Sequence, residues 1–86
     1  MKYLLIVDWT SNDVTVIRNI PDNLWDEENE EPNEQAVIEF LWEKLHCFID
    51  DVQWSILDED SSLSYYTCQE DGTVKNDAVD YFGQHF

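Results

Sequence analysis

One amphipathic helix that directly follows an acidic stretch constrains the fold of this chain more than any other feature. The stretch from Asp22 to Glu34 holds seven acidic residues and no basic residue among its thirteen positions. From Glu34 to Asp50, apolar residues recur at the spacing of one helix face. This is the only long helical pattern, so we expect the other apolar segments to be strands that pack against it.

The predicted helix has a wide apolar surface. Asn33 is a suitable N-cap because its side chain can accept a hydrogen bond from the first turn, and Glu34 then suits the positive end of the helix dipole. The core-facing stripe comprises Val37, Ile38, Leu41, Leu45, Phe48 and Ile49. It is widened by Phe40, Trp42 and Cys47. We therefore expect two covers, a sheet and either a loop or a second subunit.

The narrow polar face of the same helix is acidic. Glu39 and Glu43 are one turn apart, about 6 Å along the axis, and Asp50 is predicted to continue this face beyond His46. Like charges at this spacing destabilise a helix by a few tenths of a kcal/mol. The pattern indicates an acidic ridge along the helix.

The acidic stretch itself is predicted to be a loop, about as long as ordered loops usually become. Leu24 and Trp25 lie within it. We interpret them as anchors that hold the loop to the core. The alternative is that Trp25 is an exposed aromatic contact surrounded by acids, as aromatic hot spots of interfaces often are.

Five segments outside the helix have the composition and alternation of strands. They are Tyr3–Trp9, Val14–Ile20, Val52–Leu57, Leu63–Cys68 and Thr73–Lys75. Turn-forming residues at Thr10–Asp13 and the Asp71-Gly72 pair predict two hairpins.

Asn76 or Asp77 could cap a short C-terminal helix that runs through Phe82 and ends at Gly83, with a tail strand as the alternative. The order ββαβββ predicts a single α+β domain over residues 1–86. We expect an antiparallel sheet of about four to five strands with the long helix packed on one face.

Charge is the outlying property of the composition. Twenty acidic residues face four basic ones, for a formal net charge of -16. Self-repulsion on this scale destabilises a compact state, and a modest charge suffices for solubility. The charge is either a solubility or halophilic trait, or it attracts a basic partner. Direct binding of nucleic acid or anionic membrane is disfavoured, because both require Lys and Arg residues that this chain lacks.

The sequence favours a cytoplasmic location. The apolar run Tyr3–Val7 ends at Asp8, too early for a secretory signal, and no segment approaches the ~20 apolar residues of a membrane span. Cys47 and Cys68 do not form a disulfide framework. One bridge between them is geometrically conceivable, but we expect both thiols to be free and largely buried.

No catalytic residue, metal site or cofactor is predicted. The segment Asp58–Ser62 begins like a calcium loop, but Leu63 and Gln69 occupy the positions that need glycine and glutamate. The paired-ligand spacing of a zinc site is missing among His46, Cys47, Cys68 and His85. Asp8 faintly resembles the strand-one aspartate of metal-dependent nucleases and phosphotransferases, and we interpret it as a strand-end residue beside a turn.

In size, charge and layout the chain is similar to the small acidic DNA-mimic proteins that inhibit restriction and CRISPR nucleases, as encoded by phages and mobile elements. The resemblance implies a non-enzymatic inhibitor in the host cytoplasm that blocks the nucleic-acid groove of a basic nuclease or CRISPR effector. The residues predicted to bind the partner are Trp25, Asp26, Glu27, Glu28, Glu30, Glu31, Glu34, Glu39, Glu43 and Asp50.

Three alternatives remain at this point. An immunity protein or antitoxin for a nuclease toxin would use the same kind of surface. A small metal-dependent enzyme would be centred on Asp8. A homodimeric scaffold would use a second subunit to cover the wide apolar arc of the helix.

Overall fold

The computed structural model describes all 86 residues. Its regular elements, in chain order, are β1 (Tyr3–Asp8), β2 (Asp13–Arg18), β3 (Trp25–Asp26), β4 (Glu31–Pro32), α1 (Glu34–Leu45), β5 (Val52–Leu57), β6 (Ser62–Cys68), β7 (Val74–Tyr81) and α2 (Phe82–His85). Short 3-10 turns precede β3 and β5, at Asp22–Leu24 and Ile49–Asp51. Neither α1, with 12 residues, nor the shorter α2 could span a membrane.

The core lies between a three-stranded antiparallel sheet and α1. Strand β1 is central, with β2 and β5 on its two sides, so that Leu4 pairs with Ile17 and with Ile56. Alternate residues of β1 face α1, as the two-residue period of a strand requires. The buried cluster comprises Leu4, Ile6, Ile20, Leu24, Val37, Leu41 and Val52. It is small, since only 9 of 86 residues are buried.

Helix α1 begins as predicted. Asn33 is the N-cap, and its Oδ1 accepts a hydrogen bond of 3.2 Å from the backbone N–H of Ala36. Glu34 occupies the first turn. Val37 and Leu41 are fully buried against the sheet, so the central part of the apolar stripe is confirmed.

The predicted end of the helix at Asp50 is wrong, because α1 stops at Leu45. His46 adopts a left-handed conformation with φ 52° and turns the chain. Its N–H donates to the carbonyl of Trp42, and the N–H of Cys47 donates to that of Leu41, each at 3.1 Å. These bonds satisfy carbonyls of the last helical turn, which would otherwise lack a partner where the helix ends.

Two consequences follow for residues assigned to the helix. Leu45 and Phe48 are exposed and do not face the core, whereas Ile49 reaches the core cluster from the 3-10 turn. Asp50 lies in that turn and does not continue the helical face of Glu39 and Glu43. The predicted ridge therefore ends at Glu43.

Strands β6 and β7 form a hairpin that pairs with no other strand. All seven residues of β6 are exposed. The radius of gyration is 15.1 Å, against about 12 Å for a compact chain of this length, so the hairpin projects from the body. At its base, Phe82 of α2 is buried edge-on against Tyr3, with ring centroids 5.5 Å apart.

The predicted α+β class is confirmed, with antiparallel strands, one long helix and a short C-terminal helix. The strands divide into three sheets, because β3–β4 and β6–β7 are separate two-stranded hairpins. The short strand predicted at Thr73–Lys75 extends to Tyr81, so the final helix begins only at Phe82.

We predict that the hydrogen-bonded amides of β6 and β7 exchange with solvent at least about tenfold faster than those of β1. An isolated two-stranded hairpin is marginally stable in water, whereas β1 is central and carries Leu4 and Ile6 of the core. Amide hydrogen exchange followed by NMR measures both sets in one sample. Equal protection would mean that the hairpin opens only with the whole domain, which would contradict a marginally stable hairpin.

Candidate protein-binding surface

None of the four Lys and Arg side chains forms an ion pair. The one ion pair in the structure joins the N-terminal ammonium of Met1 to Oε1 of Glu59, at 3.5 Å. Lys2 instead places its Nζ 4.3 Å from the ring centroid of Trp25, in a cation–π contact. The side-chain carboxylates of the helix and of the acidic stretch therefore have no cationic partner within the chain.

The acidic stretch is not the long loop that the sequence predicts. It folds into a 3-10 turn and a short ribbon in which β3 pairs with β4, so that Trp25 is opposite Pro32 and Asp26 is opposite Glu31. Leu24 is fully buried, and its carbonyl accepts a 2.9 Å hydrogen bond from the N–H of Asn33. The anchoring role predicted for Leu24 is confirmed.

Trp25 is half-buried, and Lys2 lies over its ring. These contacts match the interpretation of Trp25 as an anchor. They leave only part of the indole available to a partner, so Trp25 is not a freely exposed aromatic contact.

Asp26 organises the turn of the ribbon. Its Oδ1 accepts the backbone N–H groups of Glu28 and Asn29 at 3.1 and 3.3 Å, and its Oδ2 accepts the side-chain amide of Asn29 at 2.7 Å. The side-chain bond from Asn29, followed by the backbone bonds, lowers the pKa of Asp26. Of the predicted binding residues, Asp26 thus has a structural task of its own.

The remaining acids of the ribbon face solvent. Glu27, Glu28, Glu30 and Glu31 are all exposed. Glu30 adopts a left-handed backbone conformation with φ 52°. Glycine or asparagine usually occupies such positions, because other side chains are strained there.

The ribbon and the helix present their acids side by side. Asp26, Glu31 and Glu34 line one cleft of about 470 Å³ together with Trp54. Further along α1, Glu39 and Glu43 are exposed, and Glu39 accepts a 3.3 Å hydrogen bond from the amide of Gln35. We define the acidic surface as the exposed acids of the ribbon and α1: Glu27, Glu28, Glu30, Glu31, Glu34, Glu39 and Glu43.

Asp50 is separated from this surface in the chain but not in space. It lines an apolar cleft together with Glu39, at the C-terminal end of α1. The sequence missed the main aromatic residues of this cleft, Trp42 and Phe48, as contact residues. Their signal was the excess width of the apolar arc, which the sheet alone does not cover.

Asp8 closes the turn between β1 and β2. Its Oδ1 accepts the backbone N–H and the hydroxyl of Thr10, at 2.9 and 2.6 Å, and the N–H of Ser11 at 3.3 Å. These bonds, that of the Thr10 hydroxyl above all, lower the pKa of Asp8. No cluster of three or more His, Cys, Asp and Glu side chains has metal-binding geometry.

The two cysteines are free, as predicted, but they differ in environment. Cys47 is partly buried, and burial, followed by the charges of Asp8 and Asp51, raises its thiol pKa. Cys68 is exposed on the projecting hairpin, so the prediction that it is buried is wrong. The reason is that β6 has no sheet or helix over either face.

Comparison with known proteins gives no relative from which a function could be transferred. No protein-family model, no curated protein and no solved structure matches this chain. Any function proposed for the acidic surface must therefore be argued from its own charges and contacts.

We predict that Asp26→Asn lowers the melting temperature at pH 7, because neutral amides make weaker hydrogen bonds to the turn than a carboxylate does. Folding lowers the pKa of Asp26, so its contribution is present above the unfolded value of about 3.9 and is lost as the pH falls through the lower folded value. The deficit of the variant should therefore shrink towards acidic pH, as followed by thermal unfolding.

Glu28→Gln is the matched control, because it removes one charge from the same ribbon at an exposed side chain. This control should be neutral or slightly stabilising at pH 7. Identical pH profiles for the two variants would show that Asp26 acts only through its charge and not through the turn.

Proposed function

We propose that this chain is a non-enzymatic inhibitor that occupies the nucleic-acid groove of a basic protein, such as a defence nuclease or a CRISPR effector. The observation that carries the proposal is the absence of internal compensation: no Lys or Arg side chain pairs with any of the twenty acids. A cationic groove would supply the missing partners. The acids of the ribbon and α1 adjoin, so one groove could contact both.

The spacing of the acids supports imitation of a phosphate backbone. Glu39 and Glu43 are about 6 Å apart along the helix axis, and phosphates of one DNA strand recur every ~3.4 Å. The helix therefore offers charges near every second phosphate position. The ribbon adds further acids near the N-terminal end of the helix, where Asp26 and Glu31 share a cleft with Glu34.

The chain keeps these acids at a conformational cost. Glu30 has a left-handed backbone, which disfavours a residue with a side chain by about 1 to 2 kcal/mol. The pair Glu39 and Glu43 adds like-charge repulsion within α1. Both features suit a surface that a partner neutralises, and the same field would give fast and salt-sensitive association.

Defence nucleases and CRISPR effectors act on nucleic acid inside the cell. The proposed location is therefore the cytoplasm, which would be that of the host if a phage encodes the chain. The surplus of acids also disfavours direct binding to nucleic acid or to an anionic membrane.

We predict that the wild-type chain, immobilised as bait, captures a nucleic-acid enzyme from bacterial lysate. A salt gradient and competing duplex DNA should each release it, because the same cationic groove would bind either ligand. The variant with Glu39→Lys and Glu43→Lys should capture much less while remaining folded, because both side chains are exposed.

The matched control reverses Asp60 and Glu70, which are exposed and lie outside α1 and the ribbon. Both double variants carry the same net charge, because each replacement by lysine adds two charges. Equal capture by the two variants would reduce the effect to overall charge and contradict a specific surface. A captured protein that DNA does not displace would contradict mimicry.

We also predict that Glu30→Gly raises the unfolding free energy by about 1 kcal/mol, because glycine adopts the left-handed conformation without strain. The same change should weaken capture by roughly two- to fivefold, the range of one exposed charge pair. Urea unfolding and titration with the captured enzyme measure the two effects. The matched control is Asn12→Gly. Asparagine tolerates the φ of 60° at this position, so the control substitution should stabilise less than Glu30→Gly and leave binding unchanged.

Tighter binding by Glu30→Gly would contradict a role for this carboxylate.

A further inference from the structure

An apolar cleft lies at the end of α1, beside the acidic surface. Its volume is about 300 Å³, and Ile38, Cys47 and Ile49 contribute apolar lining. Trp42 and Phe48 also line it, with stacked rings whose centroids are 4.8 Å apart and whose planes differ by 25°. The cleft is large enough for one or two aliphatic or aromatic side chains.

The two aromatic rings are held in place but remain open to solvent. Trp42 is 49% exposed and Phe48 is 62% exposed. The left-handed turn at His46 brings Phe48 back onto Trp42, and the imidazole of His46 packs edge-on against the same indole at 5.8 Å. Exposed rings that already pack against each other lose less side-chain freedom on binding than isolated exposed rings would.

Two carboxylates line the same cleft as these rings. Glu39 belongs to α1 and Asp50 to the 3-10 turn, and neither forms an ion pair. A second copy of this chain would bring another net charge of -16 towards these carboxylates. A segment that carries an apolar side chain between Lys or Arg residues would satisfy both the rings and the carboxylates.

We propose that this cleft anchors a basic amphipathic segment of the partner protein. An apolar side chain of that segment inserts beside Trp42 and Phe48, while flanking Lys or Arg residues pair with Glu39 and Asp50. The proposal rests on the proposed function, since it assigns the basic partner a second kind of contact. Charge alone would make binding depend on salt, whereas an apolar anchor would retain part of the affinity when charges are screened.

Two synthetic peptides of about 14 residues test this, a length near the lower limit for a stable isolated helix. One repeats Lys-Leu-Leu-Lys, and the other has serine in place of every leucine, so both carry the same charge. Calorimetry should show that the wild-type chain prefers the leucine peptide by about tenfold, as expected when an apolar side chain is buried. In about 1 M NaCl, where the Debye length is near 3 Å, only the leucine peptide should still bind.

Trp42→Ala should abolish the preference for the leucine peptide and leave the binding of the serine peptide unchanged. Trp9→Ala is the matched control, because Trp9 is 52% exposed and lies outside the cleft. Equal effects of the two substitutions, or no preference in the wild-type chain, would overturn the anchor while leaving a basic partner in place. Failure of both peptides to bind at low salt would overturn the proposed function as well.

Light scattering tests whether a second copy of this chain occupies the cleft instead. A wild-type dimer at micromolar concentration that Trp42→Ala converts to a monomer would assign the cleft to a second copy of the chain and overturn the proposal. A monomer in both cases is the expected result.

Discussion

Repulsion among carboxylates is the constraint that the rest of this structure has to satisfy. The core that opposes it is small, and internal ion pairs contribute almost nothing. Part of the acidity is used within the fold, since Asp8, Asp26, Asp58 and Asp71 each accept backbone N–H groups in turns. Negative charge thus closes four turns of the chain. The acids of the ribbon and of α1 have no such task, apart from Asp26.

The sequence predicts the beginning of α1 but not its end, and the difference has a physical cause. Asn33 has the chemistry of a cap, and the structure uses it as one. At the other end, Phe48 and Ile49 fit the helical period although a left-handed residue has already ended the helix. His46 gives no warning of this, because left-handed helix ends usually contain glycine or asparagine. This turn brings the exposed ring of Phe48 onto the indole of Trp42, so the apolar cleft could not be predicted from periodicity.

The hairpins also differ in whether the sequence predicts them. The Asp71-Gly72 pair correctly predicts the turn between β6 and β7, and Gly72 has the positive φ of 87° that such a turn needs. The ribbon of β3 and β4 escapes prediction because each strand has only two residues and no alternation. Composition was enough to identify the acids as candidate binding residues. Their division between the ribbon tip, the helix and the separate turn at Asp50 required the backbone.

The ribbon and α1 form a surface whose carboxylates have no cationic partner, which includes the left-handed residue Glu30, and which adjoins an aromatic cleft. The proposed binding surface is tested most directly by NMR chemical-shift mapping of this chain in complex with a nucleic-acid enzyme recovered in the capture experiment. If the ribbon and α1 form the binding surface, the amides from Glu27 to Asp50 shift and those of the projecting hairpin of β6 and β7 do not. Shifts centred on that hairpin, or spread evenly over the chain, would contradict the claim that the ribbon and α1 are the binding surface.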